Sequence, residues 1–172
     1  MRQIRIETNL ARFLILKIKS VAFGGEAVGV IESAALLAKG PFGPPPLALA
    51  GKTCFVDAAL ASERVVASVT QEKRNFVRAK LVEVLDASPA RVFPPCRYID
   101  LCGGCQYQHV LYEEELKIKE SQVREILERH AGISAKTVQP IRYSPKDYGY
   151  RNSVTLHRAS LSGAKSGDLY FI

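Results

Sequence analysis

The chain has 172 residues, of which 47% are hydrophobic, and 24 basic against 17 acidic side chains give it a net charge of +7. This length and apolar content suit one large or two small folded domains. No apolar run approaches the roughly 20 residues of a membrane span, and the first residues form no signal-peptide core, so we expect a soluble, cytoplasmic protein without membrane partners.

The positive charge is concentrated in the first half of the chain. Residues 1–91 carry 13 basic and 8 acidic groups, whereas the remainder has a net charge of only +2. A basic balance favours a polyanionic partner such as nucleic acid, although charge alone does not identify one.

The first half reads as a series of short β-strands with no helix between them. Each strand is a β-branched or apolar run bounded by turn residues, and five such strands predict a small barrel. The predicted strands are residues 13–18, 27–31, 53–56, 64–69 and 76–85.

Glycine and proline mark the connections between these strands. Gly24, Gly25 and Gly29 fit a tight turn and a bend, or equally an ordinary hairpin. Residues 34–51 include a proline-rich stretch, 41–46, through which no strand can run, so we expect an extended, mobile loop. Its role is open.

Charged and apolar residues alternate along residues 71–80, which predicts a strand with two distinct faces. From residue 74 onward one face would carry Arg74, Phe76, Arg78 and Lys80. Cations beside an exposed ring suit single-stranded nucleic acid, because phosphates pair with the cations while a base stacks on the ring. A solvated outer face with Phe76 tucked in at an edge explains the pattern equally well.

Three of the four cysteines lie within ten residues, at Cys96, Cys102 and Cys105. Thiolates at this spacing are typical of a zinc or iron-sulfur site, and both normally need four ligands. His109 is a candidate fourth ligand, although a role in packing or capping is the simpler interpretation. Cys54 lies in an apolar stretch, where a small buried side chain is the simpler interpretation.

A helix is predicted after the cysteines, from about Leu111 to Ala131, with Gly132 as its stop. Acidic and basic residues alternate at i,i+4 spacing along it, which is typical of a stabilised surface helix. Its apolar stripe is predicted to contain Leu116, Val123, Leu127 and His130. Two further strands are predicted, at 148–158 with Val154 and Leu156 alternating, and from 168 to 172.

Several motifs in this order resemble a known family. They are residues 22–29 (AFGGEAVG), residues 69–85 (VTQEKRNFVRAKLVEVL), the cysteine motif from Pro94 to His109, and Tyr150-Arg-Asn. Together they look like the N-terminal part of the bacterial uracil-5 RNA methyltransferases that carry a TRAM domain and an iron-sulfur cluster. The motifs span most of the chain, and the cysteine motif is specific.

The resemblance implies a β-rich, α+β fold. Residues 8–88 would form the TRAM domain, an OB-like RNA-binding barrel, and residues 89–172 part of a central domain. It also implies that Cys96, Cys102 and Cys105 are three ligands of a structural [4Fe-4S] cluster. The fourth ligand would lie beyond residue 172, and we expect the cluster to be labile or absent in this chain.

The resemblance implies that the complete enzyme methylates C5 of uracil in RNA, most simply in 23S rRNA, with tRNA as the other candidate, using S-adenosylmethionine. A cysteine nucleophile activates the weakly nucleophilic ring. We expect the catalytic domain to lie outside this chain, which would bind and position RNA, without S-adenosylmethionine or catalysis, as a monomer.

Two other functional classes stay open from the residues. One is a stand-alone RNA-binding module whose cysteines hold a structural zinc ion with His109. The other is an electron-transfer protein, which the cysteine spacing favours least, because it departs from the ferredoxin pattern.

Overall fold

A computed structural model of the protein describes residues 13–36, 41–45, 47, 49–99, 102, 104–153, 155, 157–158 and 169–170. The chain divides into two compact units, Met1–Ser88 and Pro89–Ile172. The first unit is built from five strands and the second contains a long helix, so the fold is β-rich and α+β, as predicted.

The five predicted strands of the first unit are all present, and most are longer than predicted. They are β1 (Phe13–Val21), β2 (Ala27–Ala35), β3 (Thr53–Val56), β4 (Arg64–Glu72) and β5 (Phe76–Asp86). They form a closed barrel in the order β1-β2-β3-β5-β4. Pairing of β1 with β4 closes the ring, β3 runs parallel to β5, and the other pairs are antiparallel. Closure leaves the barrel without a free sheet edge.

Alternation along the strands fills the barrel. On β1, Leu14, Leu16 and Ile18 are buried and their neighbours face outward, as the two-residue period of a strand requires. Cys54 lies in the same core with no exposed surface, which confirms its predicted packing role, and burial raises the pKa of its thiol to about 12. At ordinary pH this thiol is protonated and unreactive.

The glycines behave as the sequence predicted. Gly24 and Gly25 have φ of 96° and 95° and make the turn between β1 and β2. A Cβ at Gly29 would lie 3.0 Å from Cδ1 of Ile18, so a larger residue here would have to displace the end of this core side chain by a few tenths of an ångström.

The long connection between β2 and β3 is anchored to the barrel at two points. Gly43 exchanges two backbone hydrogen bonds with Ala34, at 3.0 and 3.1 Å. Leu49 is fully buried in the core. The segment expected to be a mobile loop therefore contributes a core side chain, which its proline content did not reveal. Pro46 lies outside the described residues.

The side chain of Glu63 is fully buried at one end of the barrel. Its Oε2 accepts a hydrogen bond from the Leu60 N–H at 2.8 Å, and its Oε1 accepts one from the Ser88 N–H at 3.2 Å. The carboxylate thus joins the β3–β4 connection to the last residue of the first unit.

The prediction of one strand through residues 71–80 is wrong. Gln71 and Glu72 end β4, residues 73–75 form a tight connection, and β5 begins at Phe76. The Lys73 N–H donates to the Phe76 carbonyl at 2.9 Å and closes this turn. Residues 71–75 are all polar, and the chain reverses within this run.

The second unit contains α1 (Tyr112–Ala131), preceded by Leu111 and ended by Gly132 in the left-handed conformation, as predicted. Three of the four predicted i,i+4 ion pairs form, whereas Lys117 pairs with Glu114 instead of Glu113. Among the residues that the structure describes, no helix combines the length and apolar character of a membrane span.

The predicted apolar stripe of α1 is partly wrong. Leu116 is buried and Leu127 half-buried, but Val123 and His130 are exposed, and Gln122 is buried in their place. The Gln122 amide exchanges hydrogen bonds with the Tyr107 hydroxyl at 3.2 and 3.4 Å. A polar side chain with a partner thus occupies the packed face.

The remaining elements of the second unit are short. A 3-10 helix spans Ala135–Thr137, and β6 (His157–Arg158) pairs with β7 (Leu169–Tyr170) in antiparallel orientation. Within the described part of the predicted strand at 148–158, residues 148–153 are irregular and the last two residues belong to β6. The alternating Val154 and Leu156 lie outside the described residues.

Candidate functional sites: the outer barrel face and the cysteine loop

The first half of β5 presents a basic and aromatic surface on the outside of the barrel. Val77 and Ala79 are buried, while Arg78 and Lys80 are exposed and Phe76 is half-buried. These three outward side chains lie on one face, as the alternation predicted. We call this surface, together with Phe55 on the adjacent strand β3, the outer barrel face.

Two aromatic rings form the centre of the outer barrel face. The rings of Phe55 and Phe76 meet edge to face with centroids 5.7 Å apart. The guanidinium of Arg78 lies 5.9 Å from the Phe76 ring centroid, within the range of a cation–π contact. Phe76 is therefore held in place by Phe55 and Arg78. The sequence analysis missed Phe55, because a half-buried phenylalanine in a strand looks like a core residue.

An acidic residue partly neutralises the outer barrel face. Glu26 Oε2 lies 3.1 Å from Arg78 Nη2, and both side chains are substantially exposed. An exposed ion pair of this kind contributes at most about 1 kcal/mol, so Arg78 can exchange this partner for a phosphate at little cost.

Arg74 is on the edge of this surface and not on β5. It lies in the β4–β5 connection and is exposed beside Lys73. Lys52 anchors this connection, because its Nζ donates to Glu72 Oε1 at 3.0 Å and to the Lys73 carbonyl at 2.9 Å. The predicted grouping of Arg74 with the strand residues is therefore corrected to a position in the flanking turn.

A second loop borders the same surface. Glu26, which pairs with Arg78, ends the β1–β2 turn, and Phe23 at the tip of this turn is 76% exposed. The sequence analysis did not select Phe23. The available signal was an aromatic residue directly before two glycines, where no strand or helix can bury it.

The three clustered cysteines lie on one irregular loop of the second unit. Cys96 and Cys102 are half-buried, Cys105 is exposed, and all three are free thiols. The Ile99 N–H donates to the Cys96 carbonyl at 3.2 Å, and the Cys102 N–H donates to the Tyr98 carbonyl at 2.8 Å. Two consecutive turns thus shorten the path from Cys96 to Cys102. Of the two glycines that follow, Gly103 lies outside the described residues.

The thiols suit a metal by their chemistry but are not assembled around one site. Among the described residues, no three cysteine, histidine or acidic side chains lie close enough together to hold a metal. His109 is buried, and its carbonyl accepts a 3.0 Å hydrogen bond from the Val92 N–H beside a β-bridge between Arg91 and Val110. The packing role considered for His109 therefore agrees with its position, and the geometry present here does not fit a four-ligand site.

A cleft of about 760 Å³ lies within the second unit. Its walls are Phe93 and the loop after Cys105 on one side, the start of α1 on another, and residues 147–151 on the third. Tyr148 and Tyr150 contribute exposed rings, and Gln108 lines the interior. Burial and the nearby Glu115, Cys105 and Asp147 raise the pKa of Tyr148, which keeps its hydroxyl protonated. The sequence analysis assigned no role to these residues.

Glu120 on α1 positions the segment that leads into this cleft. Its Oε2 accepts a 2.8 Å hydrogen bond from the Ile141 N–H, and its Oε1 accepts a 2.7 Å bond from Arg124. Both interactions favour the ionised carboxylate, so they lower the pKa of Glu120.

No protein-family model matches this chain. The chain is similar to curated RNA methyltransferases. An uncharacterized RNA methyltransferase of Halalkalibacterium halodurans is 33% identical over 157 residues, which are 90% of this chain and 30% of the relative. A second from the same organism is 34% identical over 120 residues, 70% of this chain and 26% of the relative.

A 23S rRNA (uracil(1939)-C(5))-methyltransferase of Photorhabdus laumondii is 40% identical over 106 residues, which are 62% of this chain and 24% of the relative. The matches thus span between about a quarter and a third of the relatives' length.

Proposed function

Over the part of their length that it spans, the chain belongs to the same family as these RNA methyltransferases, and from this premise we propose that it is the RNA-binding portion of an S-adenosylmethionine-dependent RNA (uracil-C5) methyltransferase. The proposed substrate is 23S rRNA, the substrate in the printed name of the Photorhabdus relative. In this proposal residues 8–88 are the TRAM domain and residues 89–172 belong to a central domain. We assign no catalytic residue to the chain.

The outer barrel face is the observation that carries this proposal. Five-stranded barrels of the OB type bind oligonucleotides on the face of their second and third strands and on the β1–β2 and β4–β5 loops. Here that region holds Phe55 on β3, Phe23 in the β1–β2 turn and Arg74 in the β4–β5 connection. Strand β5 adds Phe76 and Arg78 beside them.

Single-stranded RNA is the form that this surface suits. A base that has left its helix offers a flat face, and stacking on an aromatic ring contributes about 1–3 kcal/mol per base. Arg78 and Lys80 stand two residues apart on the same strand, with outward side chains available to phosphates. An enzyme that modifies a base must take it out of the stack, so an unpaired RNA segment is the expected ligand.

RNA binding tested across a range of salt concentrations checks the proposal directly. Arg78→Glu combined with Lys80→Glu should weaken binding of a single-stranded oligoribonucleotide and reduce the salt slope by about 1.4, because about 0.7 counterions are released per phosphate contact. Lys117→Glu combined with Arg129→Glu on α1 changes the net charge equally and serves as the control. An equal loss in both pairs would mean that only net charge matters, and the outer barrel face would not be the RNA site.

The cysteine loop is proposed to bind a [4Fe-4S] cluster through Cys96, Cys102 and Cys105. Three thiols are most of the ligand set that such a cluster requires, and they lie on one short loop. The fourth ligand has to come from another group, and the loop must rearrange to bring the thiols together. Because metal binding and ordering are coupled, the role of the cluster would be structural.

Metal analysis of protein purified without oxygen tests the proposal that the cysteine loop binds a [4Fe-4S] cluster. Iron and sulfide should co-purify with the complete enzyme and be lost in its Cys102→Ser variant. In the 172-residue chain we expect a partial content, since it offers three clustered thiols. Tight stoichiometric zinc in this chain would contradict the cluster and favour the stand-alone zinc-containing module.

A further inference from the structure

The cleft in the second unit lies apart from the outer barrel face in sequence and has chemistry of its own. We propose that it is a second RNA site, which takes a single unstacked base. This inference rests on the proposed function, because it assumes that RNA is the ligand of the chain. It adds a contact in residues 92–151, a region that the binding argument for the barrel does not use.

Three aromatic side chains surround the opening. Phe93, Tyr148 and Tyr150 all line the cleft, and more than half of each side chain is exposed. Exposed rings grouped around a concave site are unusual on a protein surface that binds nothing. Arg151, also a lining residue, places its guanidinium 6.0 Å from the Tyr150 ring centroid. An aromatic ring next to a guanidinium is a common stacking surface for an RNA base.

Gln108 lines the cleft, and its side-chain oxygen is an acceptor that lacks a donor within the part of the chain that the structure describes. Gln108 is more than nine-tenths buried, and its Oε1 has no hydrogen-bond partner among the described residues. A buried carbonyl oxygen of this kind is destabilising unless a donor reaches it. The N–H groups on the Watson–Crick edge of a base are donors of the right kind, and the Gln108 amide would turn toward the cleft to meet them, because its oxygen is itself covered.

The distribution of charge sets the orientation of the bound nucleotide. Glu115 and Asp147 line the cleft, and Glu115 is paired with Lys119, whose Nζ lies 5.3 Å from the Tyr107 ring centroid. Carboxylates inside the site repel phosphate but accept hydrogen bonds from a base. Arg151 is exposed. The base therefore enters and the phosphate stays outside, near Arg151.

The size of the cleft agrees with this ligand. Its volume of about 760 Å³ falls within the roughly 300–1,000 Å³ of small-molecule sites, which is sufficient for a nucleoside. An apolar protein segment would leave the Gln108 oxygen and the Asp147 carboxylate without donors. These polar groups favour a base over a hydrophobic peptide.

A fluorescent base reports on stacking in this site. A single-stranded oligoribonucleotide with one 2-aminopurine should lose fluorescence when it binds the 172-residue chain. Tyr150→Ala should remove most of that quenching and weaken binding about tenfold. Tyr150→Phe should keep both, because the ring is retained. Tyr143→Ala is the matched control, since Tyr143 has the same 65% exposure as Tyr150 but does not line the cleft.

A second variant tests the interior of the site. Gln108→Leu preserves the approximate volume and removes the acceptor, so it should weaken RNA binding several-fold while the helical circular dichroism of α1 stays unchanged. The charge-reversed Arg78→Glu/Lys80→Glu variant should retain residual quenching at low salt, because it leaves the cleft intact.

The outcomes separate this inference from the proposed function. If the barrel variant loses binding but Tyr150→Ala and Gln108→Leu bind and quench like wild type, the cleft is not an RNA site and the proposed function stands. If the wild-type chain binds no RNA, both fail. Concentration-dependent self-association that Tyr150→Ala abolishes, without any RNA effect, would show that protein occupies the cleft and would also overturn the inference.

Discussion

The two units of this chain differ in how their candidate binding surfaces are supported: the barrel has a large apolar core, and the described part of the second unit buries few apolar side chains. In the barrel, apolar side chains from all five strands fill a closed interior, and backbone pairing continues around the whole ring. In the described part of the second unit, the buried side chains are two apolar ones, Val110 and Leu116, and three polar ones, Gln108, His109 and Gln122. The core of the barrel holds the outer barrel face in place without a ligand. Because the described residues of the second unit bury few apolar side chains, we expect a bound ligand to stabilise this unit.

The largest effect expected from this comparison concerns the barrel core. Leu16→Ala should lower the free energy of unfolding of the barrel by about 2–5 kcal/mol, because Leu16 is fully buried and its removal leaves a cavity. Hydrogen–deuterium exchange of the β1 and β4 amides measures this loss. Leu116→Ala is the counterpart in the second unit and should increase exchange in α1. Equal protection in β1 for Leu16→Ala and wild type would refute the role given to the barrel core.

A smaller loss is expected from the buried carboxylate that holds the end of the barrel. Glu63→Gln keeps a single neutral acceptor and turns its NH2 group toward the other backbone N–H, so one of the hydrogen bonds from the Leu60 and Ser88 amides is lost. The change should cost about 1.5–3 kcal/mol. Chemical denaturation monitored by far-ultraviolet circular dichroism gives the value. Exchange should increase first at Ser88. An unchanged midpoint would mean that the carboxylate does not stabilise this end of the barrel.

Measurements of RNA affinity and its salt dependence can separate the role of the Phe76 ring from that of the Arg78 cation on the outer barrel face. Phe76→Ala should weaken RNA binding about fivefold without changing the salt slope, because a ring stacks on a base and contacts no counterion. Fluorescence anisotropy at several salt concentrations measures both quantities. Phe13→Ala is a comparison on a barrel strand outside this face. A change in slope with Phe76→Ala would indicate that the ring acts by positioning Arg78.

The smallest effect is a pH dependence of the hydrogen bond between Glu120 and Ile141 in the second unit. The pKa of Glu120 is lowered in the folded chain, so its contribution is complete above the unfolded pKa and is lost as the pH falls through the folded value. Exchange at the Ile141 amide, normalised for intrinsic pH dependence, should therefore increase towards acid pH. Glu120→Gln should remove that dependence at Ile141, whereas exchange at the β1 amides should be the same in Glu120→Gln and in wild type.

Local pattern predicted much of the barrel correctly. Apolar and β-branched runs bounded by turn residues located all five strands, and Gly24 and Gly25 located the turn between β1 and β2. The prediction from local pattern failed at the connection between β4 and β5, where the chain reverses direction. One strand was predicted through residues 71–80, but the antiparallel pairing of β4 with β5 and the hydrogen bond from the Lys73 N–H to the Phe76 carbonyl show that the chain reverses at residues 73–75.

Helical periodicity predicted the buried face of α1 less reliably, because burial of a side chain there depends on its individual hydrogen-bond partners. Val123 has the spacing of a core residue but is exposed, and Gln122 is buried because Tyr107 supplies its hydrogen bonds. A one-dimensional pattern contains no information about such a partner fifteen residues away.

The sequence by itself determined the five strands, the helix and its stop, the packing of Cys54, and the family to which the chain is similar, because each depends on residue type and short-range spacing. Only the tertiary structure decided that Phe55 supports Phe76, that Glu26 reaches Arg78, that Leu49 enters the core, and that the cysteine loop and residues 147–151 leave a cleft around Gln108. The reason is physical: these contacts join residues distant in sequence, and strand order and packing bring them together.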